Sequence, residues 1–170
     1  MTGLHTRPAR PEDAEAIVAI LNPIIAAGTF TVFDTPFTVE AERQYLAALH
    51  PRGIFHVAIR ASDGQMAGFQ SMEPFAAYTR AFDHVGVLGT YVAEVFRRQG
   101  VATRLFEATF AAAIGRGYEK LFTYVRADNV AALGVYRRQG FRMVGIAERH
   151  ARIDGRYVDE IVIEKILTHV

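Results

Sequence analysis

The sequence predicts an α/β domain built on a mixed sheet, and three observations carry that reading. An apolar stretch, Val85 to Val92, runs into a glycine-containing turn and leaves it as an amphipathic helix from about Val101 to Arg116. A second apolar run, Leu121 to Val125, follows that helix, and two neighbouring strands joined by a helix must lie parallel. On either side, apolar runs are joined by short turns at Asp63-Gly64 and Asp154-Gly155, which read as antiparallel pairs.

Taken in order, Leu4 to Arg7 reads as a short edge strand stopped by Pro8. Pro11 suits the first position of a helix, with Glu12 and Asp13 in its first turn. Ile17, Ile20, Leu21, Ile24 and Ile25 recur at helical spacing. Pro23 inside that pattern is expected to kink or split the helix, and Gly28 to end it. Thr29 to Thr38 is an aromatic loop with Phe30, Phe33 and Phe37. Thr38 caps a second helix running from Val39 to about Leu49, broken by His50-Pro51-Arg52-Gly53. Phe55 to Arg60 and Met66 to Glu73 are strands, and Pro74 to Phe82 is a loop carrying Phe75, Tyr78 and Arg80. Gly86 and Gly89 inside the central strand suggest a bulge or a close backbone approach. Asp128-Asn129 caps a last helix, and Phe141 to Glu148 with Tyr157 to Ile166 closes the chain as a hairpin.

The bulk properties narrow the field. With 170 residues, 51% of them hydrophobic, residues 1–170 suit a single domain with a sizeable core. A formal net charge of +1 gives no reason to expect a nucleic-acid partner. The absence of cysteine removes disulfides, thiolate metal sites and a cysteine nucleophile, and six scattered histidines show no zinc-like pairing, so no metal is expected. No apolar run approaches a membrane span, and the N-terminus does not read as a signal peptide, so the expected location is cytoplasmic.

The centre of the chain is the turn Arg97-Arg98-Gln99-Gly100-Val101-Ala102, followed by Thr103. A helix start presents unpaired N–H groups and the positive end of the helix dipole. A glycine lets backbone approach a ligand closely, and two arginines add charge-assisted donors. This is a site for a phosphate-bearing ligand. It is neither a P-loop nor a dinucleotide fingerprint, because both glycine patterns are missing. It fits [QR]-x-x-G-x-[GA] as Arg97, Gly100 and Ala102. One helix and one strand later comes N-x-x-A-x-x-x-Y-x-x-x-G-F, as Asn129, Ala132, Tyr136, Gly140 and Phe141.

With both motifs in order, the chain resembles the GNAT superfamily of acyl-CoA-dependent N-acetyltransferases. The resemblance covers nearly the whole chain. It implies a GNAT-type mixed, bent sheet of six to seven strands with helices on both faces. It implies acetyl-CoA as co-substrate, with Arg97 to Thr103 around the pyrophosphate and Asn129 on the pantetheine arm. The backbone of Val92, beside Tyr91 at the end of the central strand, would donate to the acetyl carbonyl, and Tyr136 would sit at the thioester sulfur. Asn129 and Tyr136 are two helical turns apart, roughly 10 Å along one face, which suits an elongated ligand. A phenol, with an ordinary pKa of about 10, keeps its proton at neutral pH and can hydrogen-bond or protonate a thiolate whose pKa is about 8.5. Relatives of this kind are often dimers, so a homodimer is one expectation.

A neutral amine must attack the thioester, so a proton has to be taken up. Glu73, Asp83 and His84, near the central strand, are the candidate bases; Glu94 and His56 stand behind them, and water alone remains an option. The N-terminal half resembles the branch containing phosphinothricin and methionine sulfoximine acetyltransferases, through N-P-I-I, T-P-F-T and G-F-Q-S. It departs from that branch at Val87, where the branch places a glutamate. It departs again at Glu73 and Asp83, where the branch places carboxylate-binding arginines; nearby Arg80 could compensate. The expected acceptor is therefore a small-molecule amine that is not a simple amino acid and carries extra positive charge. Phe30, Phe33, Phe37, Phe75, Tyr78 and Phe82 are the candidate lining of its pocket. Two alternatives stay open: a protein N-terminal acetyltransferase with an open peptide groove, and a non-catalytic acyl-CoA-binding regulatory domain that has no need of Tyr136.

Overall fold

The computed structural model describes residues 3–76 and 78–167. A seven-stranded sheet runs in the order β1-β2-β3-β4-β5-β7-β6, and every neighbouring pair is antiparallel except β4 with β5. The strands are β1 (Leu4–Pro8), β2 (Ile54–Arg60), β3 (Met66–Pro74), β4 (Val85–Val92), β5 (Lys120–Arg126), β6 (Arg142–Ile153) and β7 (Arg156–Ile166). The helices are α1 (Ala14–Ala26), α2 (Val39–Ala47), α3 (Val101–Gly115) and α4 (Val130–Arg138). The chain has the expected mixed α/β fold.

Strand alternation decides which helix covers which face. Phe55, Val57 and Ile59 of β2 pack with Ile17, Leu21 and Ile24 of α1 and Leu46 of α2. Ala58 between them points the other way, with Ala67 of β3, onto Val101 and Leu105 of α3. Further along that second face, Phe106 of α3 and Tyr136 of α4 join Leu88, Leu121 and Val125 in one core. Both faces of β2 are therefore buried, which is why its sequence reads as a continuous apolar run rather than an alternating one.

Three expectations are corrected. Pro23 does not split α1, which continues to Ala26; Ala27 N–H donates to the Pro23 carbonyl at 3.1 Å. The proline lies in the last turn, where it removes only the bond to Ala19, and both residues sit on the exposed side where water can answer that carbonyl. No bulge appears where β4 meets β3, since the register is continuous from Gly68↔Val92 to Pro74↔Gly86. The close approach is at Gly68 instead, where a Cβ would stand 2.6 Å from the Tyr91 carbonyl oxygen. Lastly, β6 runs five residues beyond Glu148, with register slips at Met143/Gly145 and Ala147/Ala151. Its outer part, Arg149 to Arg152, has no apolar alternation to betray a strand.

His56 of β2 is buried against α3, with Nδ1 3.1 Å from Thr109 Oγ1. Burial, helped by nearby Arg116, pushes its pKa below the ordinary histidine value. The folded chain holds it neutral where the unfolded chain would protonate it. Its contribution to stability is thus complete above the unfolded pKa of about 6.5 and is lost as pH falls through that value toward the folded one. Denaturant midpoints measured from about pH 7.5 down to about pH 5.5 should fall more steeply for the wild type than for His56→Gln, while equal slopes would remove His56 as the cause.

Candidate active site

The cleft exists because two parallel strands part company. β4 and β5 pair only at Val85↔Lys120, Gly86↔Leu121 and Val87↔Phe122; beyond that level the two strands have no mutual pairing. On its other side β4 stays bonded to β3, where Ala93 N–H reaches the Ala67 carbonyl at 3.0 Å. Ladder bonds alternate along a strand, so if Ala93 turns its N–H toward β3, Val92 and Thr90 turn theirs toward the missing β5 partner. Two backbone donors thus face an opening of about 680 Å³, a volume in the range of ligand sites. Its walls come from the end of β4 (Leu88 to Val92), the end of β5 (Thr123 to Arg126), the start of α3 and the inner side of α4.

Arg97, Arg98, Gly100, Val101, Ala102 and Thr103 line one end. Gly100 stands before α3 with φ of +81°, a left-handed conformation that costs an L-residue roughly 1–2 kcal/mol. The first intrahelical bond runs from Arg104 N–H to the Gly100 carbonyl, and no side chain caps the helix. The N–H groups of Val101, Ala102 and Thr103 are therefore left for a ligand, at the positive end of the dipole. Arg97 lies with its guanidinium 4.7 Å from the centre of the Phe30 ring, which holds it over the cleft. Gln99 turns away and donates to the Val95 carbonyl at 2.8 Å, so only its backbone belongs to this turn.

Tyr136 projects from α4 into the middle of the cleft, packed edge-on against Phe106 and Phe141 at 5.4 and 5.1 Å. Its hydroxyl is 3.1 Å from Thr90 Oγ1, which accepts from Gln70 Nε2 at 2.8 Å. Either hydroxyl can donate across the Thr90–Tyr136 contact, and when Thr90 donates the phenol hydrogen is left to point into the cleft. Burial raises the Tyr136 pKa well above the ordinary phenol value, with Thr90 opposing and Tyr91 adding to the shift. The side chain is thus a proton-bearing donor across the neutral range.

Tyr91, Val92, Phe30, Phe33 and Asn129 also line the cleft. Tyr91 stacks between Phe69 and Phe33, at 4.9 and 6.4 Å. Asn129 caps α4 by accepting from Ala132 N–H at 3.1 Å, and its amide donates to the Phe30 carbonyl at 3.1 Å. It therefore ties the aromatic loop to α4, and one N–H and one lone pair remain for a ligand.

Other expected residues are not brought to the cleft. His84 precedes β4 and is exposed; it lies six positions before Thr90, roughly 20 Å along the strand. Glu73 stands opposite Val87, on the face of the sheet away from Gln70 and Tyr136, and accepts from the Tyr45 hydroxyl at 2.5 Å. Asp83 pairs with Arg80 at 3.5 Å, and the Arg80 side chain is 97% exposed. Phe75 packs against Phe82 and Phe122 at 5.1 and 5.5 Å, and Tyr78 is 85% exposed. Conversely, Thr90, Gln70, Arg126 and Glu160 were not singled out by the sequence. For Gln70 a signal exists, a lone amide inside the apolar run Met66 to Met72. For Glu160 none does, since acidic residues in a terminal hairpin are ordinary surface.

Residues 24–141 match the Acetyltransferase (GNAT) family. The chain is 27% identical over 158 residues to the L-methionine sulfoximine/L-methionine sulfone acetyltransferase of Pseudomonas aeruginosa strain PAO1, covering 90% of this chain and 88% of that one. The crystal structure of the ribosomal-protein-alanine N-acetyltransferase from Brucella melitensis superposes with a TM-score of 0.88 at 28% identity, over 96% of this chain and 99% of the other. The phosphinothricin acetyltransferase of Sinorhizobium meliloti, solved in complex with acetyl-CoA, shares the fold at a TM-score of 0.88 and 18% identity, over 98% and 89% of the two chains. A cleft between splayed parallel strands, a basic turn opening a helix and a family match over most of the length agree: this chain belongs to the GNAT family of acetyltransferases.

Proposed function

We propose that residues 1–170 form one N-acetyltransferase domain that moves the acetyl group of acetyl-CoA directly to the primary amine of a small molecule. The observation that carries this is the buried Tyr136 hydroxyl, held on Thr90 at the point where β4 and β5 separate. The N–H groups of Val101, Ala102 and Thr103, with Arg97 and Arg98, receive the diphosphate. The amine nitrogen attacks the thioester carbonyl carbon and loses its proton to water or a side chain. The carbonyl oxygen gains negative charge, which the Val92 N–H is aimed to stabilise. As the carbon–sulfur bond breaks, the sulfur keeps the electron pair and takes its proton through Tyr136, which regains one from the proton the amine gave up. The phenol is the right group because it holds its proton at neutral pH and so presents a donor to the sulfur as negative charge develops there.

Calorimetry with acetyl-CoA, NAD and ATP tests the cofactor half of this reading. Acetyl-CoA should bind alone among the three, and Arg97→Ala with Arg98→Ala should each weaken it roughly 10- to 100-fold, the range for a hydrogen bond to a charged group. Equal affinity of wild type and both variants would remove the turn from the site. Similarity to the Brucella enzyme supports a second reading, acetylation of a protein N-terminus. Turnover on Ala-starting peptides in preference to small amines would favour it. The reading also puts the protein in the cytoplasm, with neither nucleic acid nor membrane as partner; among the described residues no helix is long and apolar enough to cross a membrane. Exposed Met143, Val144, Ile146 and Tyr157 on the terminal hairpin support a homodimer, which light scattering would read directly.

A further inference from the structure

β7 carries two buried carboxylates, and only one of them is answered. Glu164 is 5% exposed and makes ion pairs with Lys120 of β5 and Arg142 of β6. Glu160 is 6% exposed, lines the cleft, and receives no hydrogen bond from any described residue. Its cross-strand neighbour on β5 is Arg126 and on β6 is Ala147. Arg126 is bonded elsewhere through four of its five N–H groups: Nε and one terminal nitrogen go to Asp128 at 2.9 and 2.7 Å, and the other to the Gly28 and Thr31 carbonyls at 2.8 and 3.2 Å. The imidazole Nε2 of His150 on β6 lies 4.0 Å away, beyond hydrogen-bonding reach, with its ring stacked on Tyr124. The Glu160 carboxylate opens onto the cleft without a hydrogen-bond donor from the described residues, so a cation entering the cleft can supply its partner.

We infer that Glu160 is the binding group for the positive nitrogen of the acceptor, so that the acceptor is an amine carrying no carboxylate beside that nitrogen. This rests on the acetyltransferase reading and names the substrate class for the same cleft. The ion pair with Asp128 offsets part of the Arg126 charge that such a cation meets. On β5, Arg126 and the aromatic Tyr124 stand on the same face of the sheet as Glu160, and Phe30 and Phe33 also line the cleft. An ammonium with a hydrophobic body fits that combination, and a second carboxylate would stand against Glu160 itself. Burial raises the Glu160 pKa above the usual carboxylate range, with His150 and Arg126 opposing the shift, as expected for a charge awaiting its partner.

The test is calorimetric binding of 2-phenylethylamine and of phenylalanine, which share ring and amine and differ by the carboxylate. Binding is measured in the presence and absence of coenzyme A, with wild type, Glu160→Gln and Glu160→Asp. Wild type should prefer 2-phenylethylamine. Glu160→Gln, nearly isosteric, should lose between about 30-fold and a few thousandfold of that affinity, the cost of removing one partner of a buried charge pair. Glu160→Asp, which keeps the charge, should fall between. Acetyl-CoA affinity of both variants should match wild type, which also reports that they fold. Amine affinity unchanged in Glu160→Gln, a preference for phenylalanine, or no amine binding to wild type at millimolar concentration would each overturn the inference. Loss of acetyl-CoA binding by wild type would instead sink the acetyltransferase reading, since amine binding is measured independently of it.

Discussion

Tyr136→Phe is expected to cut kcat by roughly 10²- to 10⁴-fold, the range for a positioned proton donor, while acetyl-CoA affinity changes less than about threefold. The split follows from the surroundings. Phenylalanine keeps the edge-on contacts to Phe106 and Phe141, so the cleft wall is retained. What goes is one hydroxyl, and with it the proton proposed for the departing sulfur. Because burial keeps the phenol protonated far above neutrality, the loss should be constant from about pH 6 to pH 9. Steady-state kinetics over that range, with calorimetry for acetyl-CoA, checks both halves. A variant with full turnover would leave Tyr136 as packing alone.

Phe106→Ala should be the most damaging change to the fold, lowering stability by about 3–5 kcal/mol. The ring is fully buried and contacts Phe110, Tyr136 and Phe141 at 5.4, 5.4 and 6.0 Å, so its removal opens a cavity between α3 and α4. For a chain of this length the melting temperature should fall by roughly 10 °C. Denaturant unfolding should show a lower midpoint with the slope unchanged. Turnover of the folded fraction should also fall, because the cavity frees the phenol that the ring had pinned. Phe106→Leu separates the two effects: it restores most of the volume and should recover stability ahead of turnover. A loss below about 1 kcal/mol for alanine would mean that the helices collapse onto the gap.

Periodicity and turn chemistry carry the backbone of this fold. The strand pattern of Val85 to Val92, the helix stripe beginning at Val101 and the obligatory parallel return at Leu121 place the cleft before any coordinates are seen. The Arg97 to Ala102 turn is legible because phosphate binding at a helix start constrains its residues, and Asn129 and Tyr136 are legible through the motif that the family resemblance supplies. The rest of the site is assembled across strands, and cross-strand register leaves little trace in a linear pattern. Thr90 meets Tyr136 across a distance of 46 residues, and Gln70 meets Thr90 because β3 and β4 pair at that level. His84 and Glu73 flank the central strand in sequence. In space, His84 lies at the far end of it from Thr90, and Glu73 lies on the face opposite Gln70, bonded to Tyr45. Pro23 shows the converse, a strong local signal overruled because it falls where only one bond is lost and water can replace it.

The central claim concerns one distance, between the Tyr136 oxygen and the sulfur of a bound coenzyme. A crystal structure of the protein with coenzyme A should show the diphosphate on the N–H groups of Val101 to Thr103 and the sulfur within about 3.5 Å of the phenol, the reach of a hydrogen bond to sulfur. A coenzyme seated outside the β4–β5 opening, or a sulfur turned away from Tyr136 with the phenol still on Thr90, would contradict it.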